Sequence, residues 1–148
     1  MKKHTSFLVA GFIIAASILS ACSGSGTNTT SMPPIPERTA GYTNISPVEL
    51  NSMLAMKDFP LVNVHIPYEG EIAQTDLFIP YDKILDNLAV LPQDKNAKIV
   101  IYCRSGSMSA TAAGALAEAG YTKVYNLAGG MYAWEAQGYQ LLRLPQQN

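Results

Sequence analysis

The segment that decides the fold is an apolar run that ends in a cysteine and a loop of small residues: Lys98-Ile99-Val100-Ile101-Tyr102-Cys103-Arg104-Ser105-Gly106-Ser107-Met108. A short run of β-branched and aromatic residues at 98–102 predicts the strongest strand of the chain. From residue 107 the composition changes to alanine, serine and glycine, which predicts a helix that packs closely on a sheet and stops at Gly120. Cys103 is therefore expected between a strand end and a helix start.

Strands and helices alternate on both sides of this segment. Residues 46–49, Ser-Pro-Val-Glu, combine an N-cap serine, a first-turn proline and the glutamate of a capping box, and predict a helix that ends near 57–58. Further strands are predicted at 42–45, 61–65 and 124–127, and further helices at 83–91 and after the glycine pair 129–130. The alternation predicts one α/β domain with a central, mainly parallel sheet flanked by helices.

The first 21 residues have the pattern of an export signal. Residues 1–4 are positively charged and residues 7–18 are apolar, but the apolar run is short for a membrane-spanning helix. Leu19-Ser20-Ala21-Cys22 resembles the lipobox of bacterial lipoproteins, which implies cleavage before Cys22 and lipidation of Cys22. An ordinary signal peptide cleaved after Ala21, or an uncleaved anchor, are the alternatives.

The segment after the signal, 22–40, is rich in Gly, Ser, Thr and Pro and is predicted to be a flexible tether. The domain is then expected at 41–144, followed by a C-terminal tail at 145–148. These features predict an exported protein, held by its lipid at the extracytoplasmic face of a bacterial cell envelope. If the organism has two membranes, Ser23 after the lipidated cysteine resembles the outer-membrane sorting pattern.

Composition and cysteine count exclude several classes of function. The formal net charge is −1, without a basic or acidic block, so a nucleic-acid partner is not expected. The chain has two cysteines, and lipidation of Cys22 would leave Cys103 as an unpaired thiol. One cysteine and His65 provide too few soft ligands for a metal site, so no metal is expected. A lone exported thiol is either buried and inert or reactive.

The residues around Cys103 favour the reactive interpretation. Ligands of open α/β sheets gather beyond the carboxyl ends of the strands, where Cys103 is expected. Backbone N–H groups of the following turn can form an anion-binding nest, and the helix dipole favours the thiolate form. Gly106 permits a tight loop, Arg104 supplies a positive charge, and hydroxyl donors come from Ser105, Ser107 and Ser109.

These residues resemble the active-site strand and loop of the rhodanese sulfurtransferases. The resemblance continues through 119–121, Ala-Gly-Tyr, and 124–131, Val-Tyr-Asn-Leu-Ala-Gly-Gly-Met, and then through 133–134 and 138–139. Upstream, 61–65, Leu-Val-Asn-Val-His, and the pair 79–80, Ile-Pro, resemble the family's second strand and the connection after it. Together these pieces cover about 41–142, and their order and spacing make the resemblance specific. It implies a rhodanese-like three-layer α/β domain.

The resemblance also implies a mechanism. The Cys103 thiolate would take the outer sulfur of a donor, such as thiosulfate or a persulfide, and pass it as a Cys103 persulfide to a thiol or to cyanide. Neither a metal nor an organic cofactor is implied. The substrate would be bound by the loop, which contributes Arg104, Ser105, Gly106, Ser107, Met108 and Ser109.

The chain departs from the family pattern at three places. Met108 stands where many rhodaneses have a cationic residue or threonine, so thiosulfate is expected to be a poor substrate. Asn63 and His65 stand where members often have Asp and Arg, so a structural ion pair near the loop is expected to be absent. The connection 67–78 differs from the usual acidic segment ending in Gly-His, so substrate access is expected to differ.

Several other residues near the loop have a structural interpretation beside a functional one. His65 either pairs with Cys103 as an auxiliary base or is a hydrogen-bonded structural residue at the end of a buried strand. Glu69, Glu71 and Asp76 are interpreted as solvated loop carboxylates rather than acids or bases. Tyr132, Trp134 and Tyr139 are expected to pack the last helix onto the sheet.

Other functions remain to be weighed against sulfur transfer. A non-catalytic module that binds an anion or a partner's thiol in the same nest is the main alternative. A phosphatase of related fold needs an arginine at the sixth position after the cysteine, and residue 109 is serine. A disulfide or arsenate reductase needs a resolving cysteine, which residues 41–144 do not provide.

Overall fold

The computed structural model describes residues 38–39 and 41–143. The predicted signal peptide, lipidated Cys22, most of the tether and the C-terminal tail lie outside these residues and stay predictions. Within the described part, no helix has the length and apolar character needed to cross a membrane. Three α-helices are present there, α1 (Pro47–Leu54), α2 (Ser107–Glu118) and α3 (Gly130–Ala136).

The centre of the domain is a six-stranded sheet in the order β1-β2-β7-β6-β3-β5. All neighbouring strands are parallel except the edge pair β1 and β2. A separate antiparallel pair joins β4 to β8. The strands are β1 (Arg38–Thr39), β2 (Tyr42–Ile45), β3 (Leu61–Asn63), β4 (Glu71–Ile72), β5 (Leu77–Phe78), β6 (Lys98–Tyr102), β7 (Lys123–Leu127) and β8 (Leu141–Leu142).

The strand predicted at 98–102 is confirmed as β6, which lies between β3 and β7 and is buried from Ile99 to Tyr102. Ile99 and Ile101 face the core on the α2 side of the sheet, whereas Val100 and Tyr102 face the core that α1 and α3 cover. Successive strand residues point to opposite faces, so an unbroken apolar run is what a sheet between two helical layers requires. The predicted three-layer α/β architecture, with a mainly parallel sheet, is therefore confirmed.

The capping box at the start of α1 is also confirmed. The Ser46 hydroxyl accepts a hydrogen bond from the Glu49 N–H at 3.2 Å, and the Glu49 carboxylate accepts one from the Ser46 N–H at 2.7 Å. The predicted end at 57–58 is wrong, since α1 ends at Leu54. Phe59 and Leu61 are both buried, so the chain uses residues 55–58 to return from the helix to the sheet.

The helix predicted at 83–91 and the strand predicted at 61–65 differ from the structure, and in both an asparagine side chain binds the backbone. Residues 83–91 form 3₁₀ turns, Tyr81–Lys83 and Leu85–Val90, because Asn87 has non-helical dihedral angles and its side chain donates to the Lys83 carbonyl. The strand predicted at 61–65 ends at Asn63, whose side-chain oxygen accepts the N–H of His65. Asparagine side chains compete in this way with regular backbone pairing.

Replacing Ser46 with alanine tests the contribution of the capping box. We expect Ser46→Ala to lower the free energy of unfolding by about 1 kcal/mol, because the Glu49 N–H loses its hydroxyl partner. Ser52→Ala in the same helix is the control, since its hydroxyl is exposed and only returns to the Val48 carbonyl. Thermal unfolding followed by circular dichroism compares the two variants, and equal losses would contradict the assignment.

Candidate active site

Cys103 follows β6 directly, at the carboxyl edge of the parallel sheet. Its side chain is 1% exposed, and its Sγ accepts a hydrogen bond from the Gly106 N–H at 3.1 Å. A second donor is the Ser109 hydroxyl, which lies 3.4 Å from Sγ and 3.2 Å from the Gly106 carbonyl oxygen. The thiol is thus held within the turn that begins α2, as the sequence predicted for its position.

The remaining loop residues differ in where they lie. Gly106 is the N-cap of α2 and has a φ of 93°, a left-handed conformation that favours glycine. Ser105 and Ser107 are joined hydroxyl to hydroxyl at 3.2 Å on the exposed side of the loop. Met108 packs against the core on the α2 side and brings no charge to the loop. Ser109 is fully buried, so it is a partner of the sulfur rather than a surface residue.

The N-terminus of α3 supports the back of the loop. The Met131 N–H donates to the Cys103 carbonyl at 2.9 Å, and the Tyr132 N–H donates to the Arg104 carbonyl at 3.0 Å. This approach is possible because residue 130 is glycine: a Cβ there would lie 2.2 Å from the Cys103 carbonyl oxygen. The two hydrogen bonds fix the peptide groups on both sides of Arg104.

Arg104 extends from the loop into a group of charged and aromatic side chains. Its Nε donates to the Tyr132 hydroxyl at 2.5 Å, and its guanidinium carbon lies 4.7 Å from the centre of the Tyr132 ring. Its Nη1 contacts Oε2 of Glu69 in an ion pair. Glu69 is therefore paired and not the solvated carboxylate that we predicted. This ion pair is a different one from the pair that Asn63 and His65 were expected to lack. Tyr132 is half-exposed and binds Arg104 rather than the sheet.

The loop that carries Glu69 is held by the buried side chain of Asn63. Its amide nitrogen donates to the Gly70 carbonyl at 3.0 Å, and its amide oxygen accepts the His65 N–H at 3.0 Å. An aspartate at this position could accept the second hydrogen bond but, when ionised, could not donate the first. The asparagine therefore has a specific structural role in fixing segment 65–70 beside Cys103.

His65 is buried beside Glu69. Its Nε2 lies 3.4 Å from Oε2 of Glu69 without hydrogen-bond geometry, and within the described part Cys103 is a partner of neither ring nitrogen. Burial lowers the pKa of His65 below its ordinary value, and the nearby charge of Arg104 lowers it further. The histidine is thus favoured in its neutral form at pH 7.

A shallow, solvent-open depression lies next to Arg104. Opposite charges are paired within it, since Arg104 contacts Glu69 and Arg143 donates to Glu135 at 2.7 Å. Its lining residues are Glu69, Arg104, Met131, Tyr132, Glu135, Leu141 and Arg143. Among the described residues no cluster of histidine, cysteine and acidic side chains could hold a metal ion.

Comparison with known proteins identifies the family of this domain. The family model described as "Rhodanese-like domain" matches residues 60–137, which is more than half of the chain. The chain belongs to the rhodanese-like domain family. The predicted family resemblance is therefore confirmed for the domain. The matched residues do not include the predicted N-terminal signal, which stays a prediction.

Relatives and solved structures agree with this membership. A protein named sulfurtransferase from Allochromatium vinosum is 37% identical over 90 residues, 58% of this chain and 80% of that protein. Thiosulfate sulfurtransferase PspE of Escherichia coli is 36% identical over 70 residues, 46% of this chain and 67% of that protein. The crystal structure of a rhodanese-like domain protein from Staphylococcus aureus superimposes with a TM-score of 0.53 at 35% identity, over 62% of this chain and 89% of that one. The chain spans about a quarter of the length of other curated relatives.

Within the rhodanese-like domain, sequence reasoning found the loop but missed its neighbours. Glu69 and Tyr132 each contact Arg104, and Gly130 permits α3 to support the loop. One signal was available for Glu69: it follows the strand next to β6 in the sheet, and carboxyl ends of parallel strands meet at one edge. No local pattern marks Tyr132, because its contact depends on how α3 docks.

Substitution of Gly130 tests the support that α3 gives to the loop. Gly130→Ala places a Cβ against the Cys103 carbonyl at a positive φ, so we expect a loss of about 2 kcal/mol or more in unfolding free energy. Gly114→Ala is the matched control, since a Cβ at this position inside α2 would have no other atom within 4 Å and alanine favours helix by about 1 kcal/mol. Denaturant unfolding should show opposite signs for the two variants, and equal signs would contradict the role of Gly130.

The burial of His65 predicts a pH dependence of stability. Its pKa is lower in the folded chain than the ordinary 6.5, so the unfolded chain binds more protons below that pH. This contribution to stability is present above about pH 6.5 and is lost as the pH falls toward the folded pKa. We expect His65→Gln to flatten the fall in melting temperature between pH 7.5 and 5. A curve of unchanged slope would show that His65 does not titrate as described.

Proposed function

We propose that this protein is a rhodanese-type sulfurtransferase or persulfide carrier in which Cys103 carries the sulfur. The observation that carries the proposal is the setting of Sγ, which lies at the start of α2 with hydrogen bonds from the Gly106 N–H and the Ser109 hydroxyl. Both donors and the helix N-terminus stabilise negative charge on sulfur. Membership of a family whose relatives include named sulfurtransferases supports the same chemistry.

In the first half-reaction, the Cys103 thiolate attacks the outer sulfur of the donor. With thiosulfate, a new S–S bond forms to Cys103 while the S–S bond of the donor breaks, and the bonding electron pair leaves with sulfite. The product is a Cys103 persulfide with one negative charge on its terminal sulfur. The first N–H groups of α2 lack intrahelical acceptors, as at any helix start, and can bind that charge.

In the second half-reaction, a thiolate or cyanide attacks the terminal sulfur of the persulfide. The S–S bond breaks and its electron pair returns to Cys103 as the thiolate, so no net oxidation or reduction of the protein occurs. This is two-step nucleophilic catalysis. The buried Ser109 hydroxyl can donate to Sγ in the thiolate that begins the cycle and is regenerated at its end, which gives it a positioning role for the sulfur.

We further propose that the domain acts in the bacterial cell envelope, anchored by a lipid on Cys22. The apolar segment 7–18, the lipobox-like residues before Cys22 and the polar segment 22–40 support this location. The partners would then be a small sulfur donor and a thiol acceptor outside the cytoplasm, without nucleic acid.

A second candidate function is a non-catalytic module that binds an anion or a partner's thiol in the same loop. Two observations favour it: Met108 brings no positive charge to the loop, and the charge of Arg104 is paired with Glu69. The same loop geometry would serve either function. The two functions differ in whether a covalent bond to Cys103 forms.

The intact mass of the full chain, purified in detergent, tests the proposal. We expect a gain of one sulfur, about 32 Da, after incubation with an alkyl persulfide, removed again by cyanide or dithiothreitol. Because Cys22 is the only other cysteine, digestion must place the added sulfur on the peptide that contains Cys103. No gain with either persulfide or thiosulfate, while Cys103 is reduced and reacts with a small alkylating agent, would leave the binding module.

Two variants test the roles of Cys103 and Ser109 in this experiment. Cys103→Ser must abolish the gain, whereas simple anion binding would survive the change. Ser109→Ala removes a donor to the sulfur, and we expect it to slow labelling by about tenfold, since a hydrogen bond to a charged group contributes about 1.5 kcal/mol. Thr111→Ala is its control, because the exposed Thr111 hydroxyl lies on α2 outside the loop and contacts only the Ser107 carbonyl.

A further inference from the structure

The charge on Arg104 decides which donors the loop can attract. Arg104 follows the sulfur-bearing residue and is the cation within the loop 103–109. A dianion such as thiosulfate needs positive charge where it approaches Cys103. Met108, at the end of the same loop, packs into the core and contributes none.

The structure shows how Glu69 offsets that charge. Its Oε2 contacts Nη1 of Arg104, and the Arg104 Nε is occupied by the Tyr132 hydroxyl. The two charged side chains are each about a third exposed, at 38% for Arg104 and 35% for Glu69, whereas the Oε2 atom that contacts Arg104 is itself buried.

Glu69 is available to Arg104 because its other neighbour is a weak competitor. His65 Nε2 lies 3.4 Å from the same Oε2, but the histidine is buried and favoured neutral. Asn63 holds both ends of segment 65–70, at the His65 N–H and the Gly70 carbonyl, and thereby keeps Glu69 beside the loop. The carboxylate is thus a built part of the surface around Arg104.

We propose that Glu69 is a specificity-determining residue that makes this site select organic persulfides of low charge over compact dianions such as thiosulfate. The inference rests on the proposed sulfur transfer at Cys103 and names its class of donor. The adjoining depression is charge-balanced in the same way, with Arg143 paired to Glu135, so it adds no net attraction for a dianion.

The favoured reaction balances without a further reagent. The Cys103 thiolate attacks the outer sulfur of R–S–SH, a bond forms between the two sulfurs, and the S–S bond of the donor breaks. The electron pair leaves on R–S⁻, which takes the proton of the transferred sulfur and departs as R–SH. Cys103 is left as the persulfide anion, so the step needs no net positive charge to hold a dianionic donor.

The test compares two donors by one readout, the rate constant for gain of a sulfur by the full chain in detergent, followed by quenched mass measurement. The donors are thiosulfate and 2-hydroxyethyl persulfide. We expect Glu69→Gln to raise the rate constant with thiosulfate by about fivefold, the effect of removing one partly exposed ion-pair partner. With the alkyl persulfide we expect a change of less than about twofold, since its body is uncharged. Glu69→Asp, which withdraws the carboxylate by one methylene, should give a smaller rise with thiosulfate.

Three controls separate this effect from others. Asp58→Asn removes one negative charge near Lys98, at the amino ends of the parallel strands. It should leave the ratio of the rate constants for the two donors unchanged. In an Arg104→Gln background, Glu69→Gln should lose its effect on the ratio, because the two residues act on each other. Raising the salt to about 1 M should reduce the effect of Glu69→Gln on the rate constant with thiosulfate to less than about twofold, because salt screens the charge. An effect caused by a structural disturbance would not depend on salt in this way.

The outcomes distinguish the specificity of the site from its basic function. A wild-type chain that gains no sulfur from either donor overturns both the proposed function and this inference. A wild-type chain that gains sulfur, with Glu69→Gln changing both donors equally or neither, overturns the role of Glu69 alone. An equal shift of the donor ratio in Asp58→Asn would also overturn it, by assigning the effect to net charge.

Discussion

The structure around Cys103 depends on the close approach of one backbone to another. At Gly130 the chain passes so near the Cys103 and Arg104 peptide groups that no side chain fits, and the N–H groups of Met131 and Tyr132 bind their two carbonyls. With those carbonyls held from behind, the Gly106 N–H is turned toward Sγ. A conformation of this kind persists only where the surrounding structure determines it, and here α3 provides that support.

The same docking of α3 links the loop to its charged surroundings. It brings Tyr132 to Arg104, and segment 65–70, fixed by Asn63, brings Glu69 to the other side of that arginine. Two kinds of group thus lie around Cys103 and its loop. The Gly106 N–H and the Ser109 hydroxyl contact the sulfur, whereas the charged pair of Arg104 and Glu69 lies beside the loop. Under the proposed function, the reactivity of Cys103 and the selection of its donor would therefore depend on different residues.

The structure gives a physical role to Asn63 and His65, two residues at which the sequence departs from the usual family pattern. Asn63 gives up the charge of an aspartate but gains a donor that binds the Gly70 carbonyl. His65, buried and with a lowered pKa, leaves the Glu69 carboxylate to Arg104. These changes concern the same segment and together alter the electrostatics of the loop without altering the sheet that presents it.

The sequence by itself determined the order of the strands β2, β3, β6 and β7 and of the three α-helices, the capping box at Ser46 and the position of Cys103 at a strand end, because these follow from local periodicity, capping and turn chemistry. The two-residue strands β1, β4, β5 and β8 were not predicted. The sequence also did not determine the 3₁₀ turns near Asn87, where a side chain competes with the helix for a carbonyl. Only the tertiary structure decided the partners of Arg104. Glu69 and Tyr132 lie 35 residues before it and 28 after it in the chain, and they meet because parallel strands bring their carboxyl ends to one edge of the sheet.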